Sequence, residues 1–264
     1  MAEGRVTLIT GGASGIGQVT AEKLTAAGDR IVVADINLEA AEAVADALNA
    51  SGGDAVARSV DVADRDAVTA LVEEVESSVG PIGALVNSAG LLQNASTAAR
   101  MDPTEAERIM KVNYEGTWIT NVAVAEKMKA RKQGAIVNIG SINSFAVLPI
   151  PSYCVSKVAV KHLTEIFACE YGVYGIRVNG VAPTYTITPA IQARIDSGHR
   201  DPQKFIESHA LKMLVYPNHI ADGINFLLSD QAAAITGVTM PIDAGWLANQ
   251  TYRSYPAEVA GFGE

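Results

Sequence analysis

A β-rich run of five residues, Val6 to Thr10 (VTLIT), passes without a linker into the turn TGGASGIG, residues 10 to 17, and then into the helical pattern QVTAEKLTAAG. Little freedom is left to a chain that must go from strand to helix in so few residues. Gly11 permits the tight turn, Gly15 lets the backbone approach a ligand closely, and Gly17 allows the helix to pack against the turn. The helix start also presents unpaired N–H groups and the positive end of its dipole to whatever lies in the turn. This arrangement predicts a pyrophosphate-holding dinucleotide site built from Gly11, Ser14, Gly15, Ile16 and Gly17. The spacing is Gly-x-x-x-Gly-x-Gly rather than Gly-x-Gly-x-x-Gly, and a bare glycine loop also serves as an ordinary turn.

The alternation continues along the chain. Strand-like RIVVAD, AVARSVDV, ALVNSAG, AIVNIGS, IRVNGVAP and TMPID are separated by helical segments, among them LEAAEAVADALNA, DRDAVTALVEEVESSV, the long TEAERIMKVNYEGTWITNVAVAEKMKAR and PNHIADGINFLLS. Such alternation builds right-handed βαβ units and hence a parallel sheet. The expected fold is α/β, a Rossmann-type doubly wound parallel sheet of about seven strands flanked by helices. With 264 residues, 48% hydrophobic, and no proline-rich or low-complexity linker, residues 1–264 read as a single domain. Within it, 184–213 is less regular and reads as a substrate-covering region, and 246–264 as a C-terminal tail. Gly28 is placed at a helix C-terminus, Asp64 at an N-cap, and Gly134 as the end of the long helix.

Composition excludes several classes. A net charge of −9 argues against nucleic acid and anionic membranes as partners. No apolar run approaches the ~20 residues of a membrane span, and MAEGRVTLIT has no signal-peptide pattern. Cys154 and Cys169 lie fifteen residues apart on one helical stretch, roughly 22 Å and too far for a disulfide. Both read as buried thiols in a reducing compartment, and the expected location is cytoplasmic. His162, His199, His209 and His219 show no ligand spacing, so no metal site is expected.

A second device lies in SYCVSKVAVKHL. Tyr153 and Lys157 are at i and i+4, so a helix brings phenol and ammonium to one face. A lysine about 4 Å from the phenol, at an effective dielectric of ~20, favours phenolate by up to ~4 kcal/mol, or ~3 pK units. That would carry a group titrating near ~10 towards working pH. Ser141, ending AIVNIGS, adds a hydroxyl at a strand end, where ligands of an open parallel sheet bind.

Together these features resemble the short-chain dehydrogenase/reductase family. The ordered series is Thr10-Gly11-x-x-x-Gly15-x-Gly17, Asp35, Asp61-Val62, Asn87-Ser88-Ala89-Gly90, Asn113, Ser141, Tyr153-x-x-x-Lys157 and Pro183, spanning residues 5 to about 245. The resemblance implies that Tyr153 is the general base towards an alcohol and that Ser141 holds the reacting oxygen. Lys157 tunes Tyr153 and bonds the nicotinamide ribose, while the Asn113 carbonyl holds a water that extends the relay. Asp35, roughly 20 residues beyond the glycine turn, is placed to accept both adenosine ribose hydroxyls and to repel a 2′-phosphate. Ala13, Ile36 and Asn37 stand where the family's NADP-preferring members usually carry a base, so NAD is expected. Asp61 and Val62 fall to the adenine, and Asn87, Ala89 and Gly90 to the cofactor ribose and the sheet centre. Pro183, the Thr186 backbone and the Thr188 hydroxyl fall to the carboxamide. Ser88 and Thr184 depart from the family's usual Asn and Gly.

What this implies is an NAD-dependent oxidoreductase interconverting a secondary alcohol and its ketone. Gln93, Ser141, Asn143, Leu148, Tyr153 and Tyr185 are expected on the substrate side. The two amides favour a polyol, sugar or small hydroxyketone; AVLPIP keeps an aryl or alicyclic alcohol as the alternative. A non-catalytic NAD-binding regulator on the same fold is the alternative of another class. The resemblance implies that helices around 104–131 and 152–174 pair across two-fold axes, and both are apolar on more than one face through Ile119, Val122, Val124, Val160, Ile166 and Phe167, so a homotetramer is expected, with a dimer as fallback. Trp246, Tyr252, Tyr255 and Phe262 are expected at a subunit contact.

Overall fold

The computed structural model describes residues 4–257. Seven strands, β1 (Val6–Thr10), β2 (Arg30–Asp35), β3 (Asp54–Ser59), β4 (Ile82–Asn87), β5 (Gly134–Ile139), β6 (Ile176–Pro183) and β7 (Thr239–Ile242), form one sheet in the order β3-β2-β1-β4-β5-β6-β7. Every pairing is parallel. The strand order reverses between β1 and β4, which opens a crevice beyond their carboxyl ends.

Both faces of the sheet are covered, so successive strand residues enter different cores. Val32, Ala34, Leu8, Leu85, Ile136 and Val178 pack with one set of helices: α3 (Arg65–Ser78), α5 (Thr117–Arg131) and α6 (Pro151–Gly172). Ile31, Val33, Ile9, Val86, Val137 and Val181 pack against α1 (Gly15–Ala26), α2 (Leu38–Ala50) and α9 (Pro217–Leu228).

The helix ends depart from expectation in two places. Gly28, with φ +95°, follows the end of α1, and Asp64 caps α3 by accepting the N–H groups of Asp66 and Ala67, both as expected. The long helix, however, ends at Lys132, which takes the left-handed conformation with φ 54°, and Gly134 opens β5 instead. A Cβ at Gly134 would lie 2.3 Å from the Met128 sulfur, so glycine is required there for packing. The helical stretch before it is also interrupted. Between α4 (Pro103–Met110) and α5, residues Lys111–Gly116 form a π turn that contains Asn113.

Region 184–213 is more regular than its sequence period suggests. It contains α7 (Pro189–Asp196) and α8 (Pro202–Ser208), each with proline in its first turn and a side-chain cap, Thr188 for α7 and Asp201 for α8. A final helix, α10 (Trp246–Arg253), packs against α8. Trp246 meets Tyr185 edge-on at 6.3 Å, Tyr185 stacks on Phe205 at 4.5 Å, and Asn249 donates to the Ser208 carbonyl at 2.7 Å. Trp246 therefore belongs to its own subunit's core rather than to a subunit contact. Tyr252 and Tyr255 are exposed, and Phe262 lies outside the described residues.

Among the residues nominated for a second apolar helix face, Ile119, Val124, Val160 and Phe167 are buried in this chain's own core and Val122 packs against it; Ile166 is exposed. The outward apolar residues of α6 are Val155, Val158 and Ile166, with Trp118 on α5. Cys154 is buried and Cys169 is exposed, which corrects the reading of both as buried. Among the described residues no helix is long and apolar enough to cross a membrane.

Candidate active site

A cleft of about 1050 Å³ opens at the switch point. Its floor is the turn after β1. Gly11 has φ +64°, and a Cβ there would lie 2.6 Å from the Ala89 backbone, so the β1 and β4 turns touch only because the side chain is missing. Gly17 lies behind the floor, where a Cβ would come within 2.1 Å of the Gly11 carbonyl. Ser14, the N-cap of α1, makes no side-chain cap bond, and the first turn holds no acidic residue. The helix thus presents its free N–H groups to the cleft, which suits an anion such as a pyrophosphate. The volume is enough for a dinucleotide. Residues and cofactor class fit.

Asp35 lines the same cleft. Its Oδ2 accepts from Ala13 N at 3.2 Å and its Oδ1 from Asn37 N at 3.0 Å, so one carboxylate ties the glycine turn to the end of β2 while keeping further lone pairs on each oxygen. Ile36, Asp61, Val62, Ala89, Gly90, Ser14, Gly15, Ile16, Thr188, Tyr153 and Lys157 also line it. Asn87, Pro183 and Thr186 do not. Asn87 is buried in a polar ladder, donating to Asn138 Oδ1 at 2.9 Å and Asn121 Oδ1 at 3.2 Å, and Thr186 is buried with its hydroxyl on the Thr184 carbonyl at 3.0 Å. Ser88, the departure from the family pattern, faces the cleft, and its N–H bonds the Thr10 carbonyl at 3.1 Å.

The residues expected to transfer the proton lie around Tyr153 and Lys157, which both line the cleft. Lys157 Nζ donates to the Ile139 carbonyl at 2.7 Å and sits 5.6 Å from the centre of the Tyr153 ring. A Cβ on Gly90 would meet Asn113 Oδ1 at 3.4 Å and Lys157 Nζ at 3.8 Å, so Gly90 is the bare spot between those two side chains. Asn113 is fully buried. Its Oδ1 accepts from Leu91 N at 2.7 Å, and its Nδ2 donates to the Leu91 carbonyl and to Ser156 Oγ, both at 3.1 Å. Its own carbonyl accepts the Thr117 hydroxyl at 2.7 Å. Ser141 Oγ donates to Asn143 Oδ1 at 3.1 Å and accepts from Asn143 N at the same distance.

The electrostatics correct one expectation. Burial pushes the Tyr153 phenol up to about 12, with the Ser141 hydrogen bond opposing it, and burial pushes the Lys157 ammonium down to about 8. Lys157 therefore does not bring the phenol to working pH by itself. Its ammonium donates to the Ile139 carbonyl and stands 5.6 Å from the ring centre, and burial is the largest influence on both groups.

Of the residues expected on the substrate side only Tyr153 lines the cleft; Gln93, Ser141 and Asn143 are buried, Leu148 is partly buried, and Tyr185 is engaged by Phe205 and Trp246. Thr184 replaces a glycine with a bond to His209 Nε2 at 3.0 Å, while His209 Nδ1 reaches the Met213 carbonyl at 2.7 Å. A carbonyl only accepts, so Nδ1 carries a proton, and both nitrogens of the buried ring have partners. Sequence reading missed Ile139, Leu91, Leu92, Val112, Arg65, Arg108 and Lys111, all of which line the cleft. Ile139 was accessible to the strand-end rule; the exposed cations on α3, α4 and the π turn carried no signal.

A glycine-floored dinucleotide cleft that ends on a buried tyrosine and lysine defines an oxidoreductase of the Rossmann type, one that binds a nicotinamide cofactor. Comparisons with known proteins agree. Residues 11–247 match a family model described as enoyl-(acyl carrier protein) reductase, of the short-chain alcohol dehydrogenase type. The chain is 36% identical over 251 residues to D-threitol dehydrogenase of Mycolicibacterium smegmatis, covering 92% of this chain and 93% of that one. It is 34% identical over 243 residues to cyclohexanol dehydrogenase of an Acinetobacter species, covering 92% and 94%. Among solved structures, a gluconate 5-dehydrogenase from Burkholderia cenocepacia in complex with NADP and tartrate superposes with a TM-score of 0.88 at 33% identity, covering 93% and 96%. The chain belongs to the short-chain dehydrogenase/reductase family, and within it resembles polyol and secondary-alcohol dehydrogenases. It is an enzyme of alcohol–ketone oxidoreduction.

Proposed function

We propose that this enzyme is an NAD-preferring dehydrogenase of secondary alcohols that carry further oxygens: a polyol, a sugar or a small hydroxyketone. The observation that carries the reading is that Tyr153 and Lys157 line one cleft with the glycine turn and Asp35, with Asn113 reaching the same Gly90 as Lys157. Tyr153 takes the proton of the alcohol, Ser141 holds the oxygen, Lys157 supplies positive charge, and Asn113 fixes the turn and helix around them. The nicotinamide, when bound, accepts hydride and in its oxidised form adds positive charge. Such a charge, beside the Tyr153 and Lys157 that would hold the cofactor, would oppose the burial that raises the phenol.

NAD preference rests on Asp35. Its carboxylate faces the cleft, and Ile36 and Asn37 beside it carry no positive charge to receive a 2′-phosphate. The gluconate dehydrogenase relative was crystallised with NADP, so a direct comparison of the two cofactors is the test. An alicyclic alcohol is the second reading. It is favoured by the cyclohexanol dehydrogenase relative and by Phe145 and Val147, both exposed, and Leu148 on the loop after β5. A panel of polyols, hydroxyketones and cyclohexanols, with NAD or NADP and NADH or NADPH absorbance as the readout, separates these readings. Turnover of none of them would sink both.

The further expectations belong to the same proposal. Residues 184–213 cover the substrate and α10 holds that cover in place. The outward apolar stripe of α6 joins subunits into a homotetramer. Two unpaired cysteines fit a cytoplasmic enzyme.

A further inference from the structure

Helix α6 starts without a local cap. The Ile150 side chain cannot accept a hydrogen bond, and Pro151 at the first position has no N–H. The N–H of Tyr153 is one of the orphan donors of that first turn, and it is satisfied from outside the helix by Gln93 Oε1 at 3.0 Å. Because a backbone N–H only donates, the contact fixes the amide: carbonyl oxygen towards Tyr153, amino group away from it. That amino group, Gln93 Nε2, is buried without a hydrogen-bond partner, on a residue only 3% exposed. Buried donors left without an acceptor are costly and correspondingly rare.

Asn143 makes a comparable contact beside Ser141. Its Oδ1 accepts the Ser141 hydroxyl at 3.1 Å, its backbone N–H donates to the same hydroxyl at 3.1 Å, and its amino group has only a long 3.4 Å contact with the Ala146 carbonyl. Asn143 thus has a partner at each end of its amide, whereas Gln93 has its acceptor end consumed by Tyr153 and its donor end left over. A site of this polarity is matched by an oxygen that accepts.

We propose that Gln93 is a positioning and specificity-determining residue: Oε1 seats Tyr153 through its backbone, and Nε2 donates to a substrate oxygen on the carbon next to the reacting alcohol. The inference rests on the secondary-alcohol reading and narrows it to substrates with a vicinal oxygen acceptor. Simple alkanols are poor substrates because they leave the donor buried and unpaired.

The test uses 1-methoxypropan-2-ol and pentan-2-ol, which have the same shape and differ by an ether oxygen that accepts but cannot donate. In the intact enzyme with NAD, kcat/KM favours the ether by ~10-fold or more. Gln93→Met, which keeps chain length and loses both ends of the amide, brings that ratio near unity and lowers kcat for pentan-2-ol. Gln93→Glu keeps an acceptor for the Tyr153 N–H, so it recovers kcat for pentan-2-ol without recovering the ether preference. A ratio unchanged in folded Gln93→Met overturns the proposal and assigns the buried nitrogen to an internal water. Should Gln93→Met fail to fold, an ether preference retained in Gln93→Glu overturns it equally. If the unmodified enzyme oxidises neither alcohol, the dehydrogenase reading has failed, and thermal unfolding with NADH decides the inference separately. Greater stabilisation by the ether than by pentan-2-ol in the unmodified protein, abolished in the variant, supports it; equal stabilisation overturns it.

Discussion

Replacing Lys157 by Met should make the folded protein more stable at neutral pH, although it removes a residue the chemistry needs. The ammonium is 5% exposed and burial pulls it from 10.5 to about 8, with no neighbouring carboxylate among the causes. That gap corresponds to about 3 kcal/mol of destabilisation wherever the group is charged in both states, which is below about pH 8. Met fills similar space without the charge, but leaves the Ile139 carbonyl without its 2.7 Å donor, a loss of about 1 kcal/mol. The net expectation is a gain of about 2 kcal/mol at pH 7. The sign then changes with pH. Between about 8 and 10.5 the unfolded lysine holds more protons than the folded one, so the unmodified protein gains stability relative to the variant at up to ~1.4 kcal/mol per pH unit. The two should be equally stable near pH 9.5 to 10. Urea unfolding of both proteins at four values from pH 7 to 10.5, at one protein concentration, measures the difference, and titrations shared by the two cancel. A difference that stays flat across that range, or a variant less stable at pH 7, would refute the buried-charge argument. Turnover of the same variant should fall by ~10² or more, so that stability and activity move in opposite directions.

Other expectations are more direct. Tyr153→Phe keeps the ring and its packing but loses the proton, so turnover should fall by ~10² or more with NADH binding retained; normal turnover would contradict the acid/base role. Asp35→Ala should shrink an NAD-over-NADP preference of at least ~10-fold in kcat/KM by weakening NAD, whereas equal use of both cofactors by the unmodified enzyme would remove the premise. Sedimentation at micromolar concentration should show a tetramer, weakened by Val158→Glu on the exposed stripe of α6; a monomeric unmodified chain would refute helix pairing.

The sheet was legible because its signals are local and redundant. The inner strands are apolar runs ended by a turn residue and buried on both faces, so RIVVAD and ALVN read as strands whatever surrounds them. The cleft was legible for the same reason: Gly11, Asp35, Asp61 and Ala89 all sit where strands end. Errors arose where a three-dimensional neighbour decides the local structure. Gly134 looked like a helix stop, yet the space it leaves is taken by Met128 and the stop falls on Lys132. Trp246 looked like a surface aromatic, yet Tyr185 and Phe205 wait for it 61 and 41 residues upstream. The regularity of 184–213 was within reach, since Thr188-Pro189 and Asp201-Pro202 are each a cap followed by proline in the first turn.

Asn113 shows why a residue can stand out in a sequence while its local structure stays hidden. As an asparagine inside a helical stretch it stands out, but a π turn differs from an α-helix by one residue and leaves no compositional mark. Its effect is to break the regular ladder at that point. The Asn113 carbonyl is met by the Thr117 hydroxyl, and the side chain reaches inward to bond the Leu91 backbone on one side and Ser156 on the other. Ser156 Oγ in turn donates to the Tyr153 carbonyl at 2.8 Å. The loop that carries Gly90 and the helix that carries Tyr153 and Lys157 are thereby held by one buried amide, and Gln93, from the same loop, holds the Tyr153 N–H. Both backbone groups of Tyr153 are fixed by side chains that converge on the loop after β4. The orientation of the phenol is set by that loop as much as by its own helix, which is why substitutions at Asn113 or Gln93 should act on the chemistry through Tyr153.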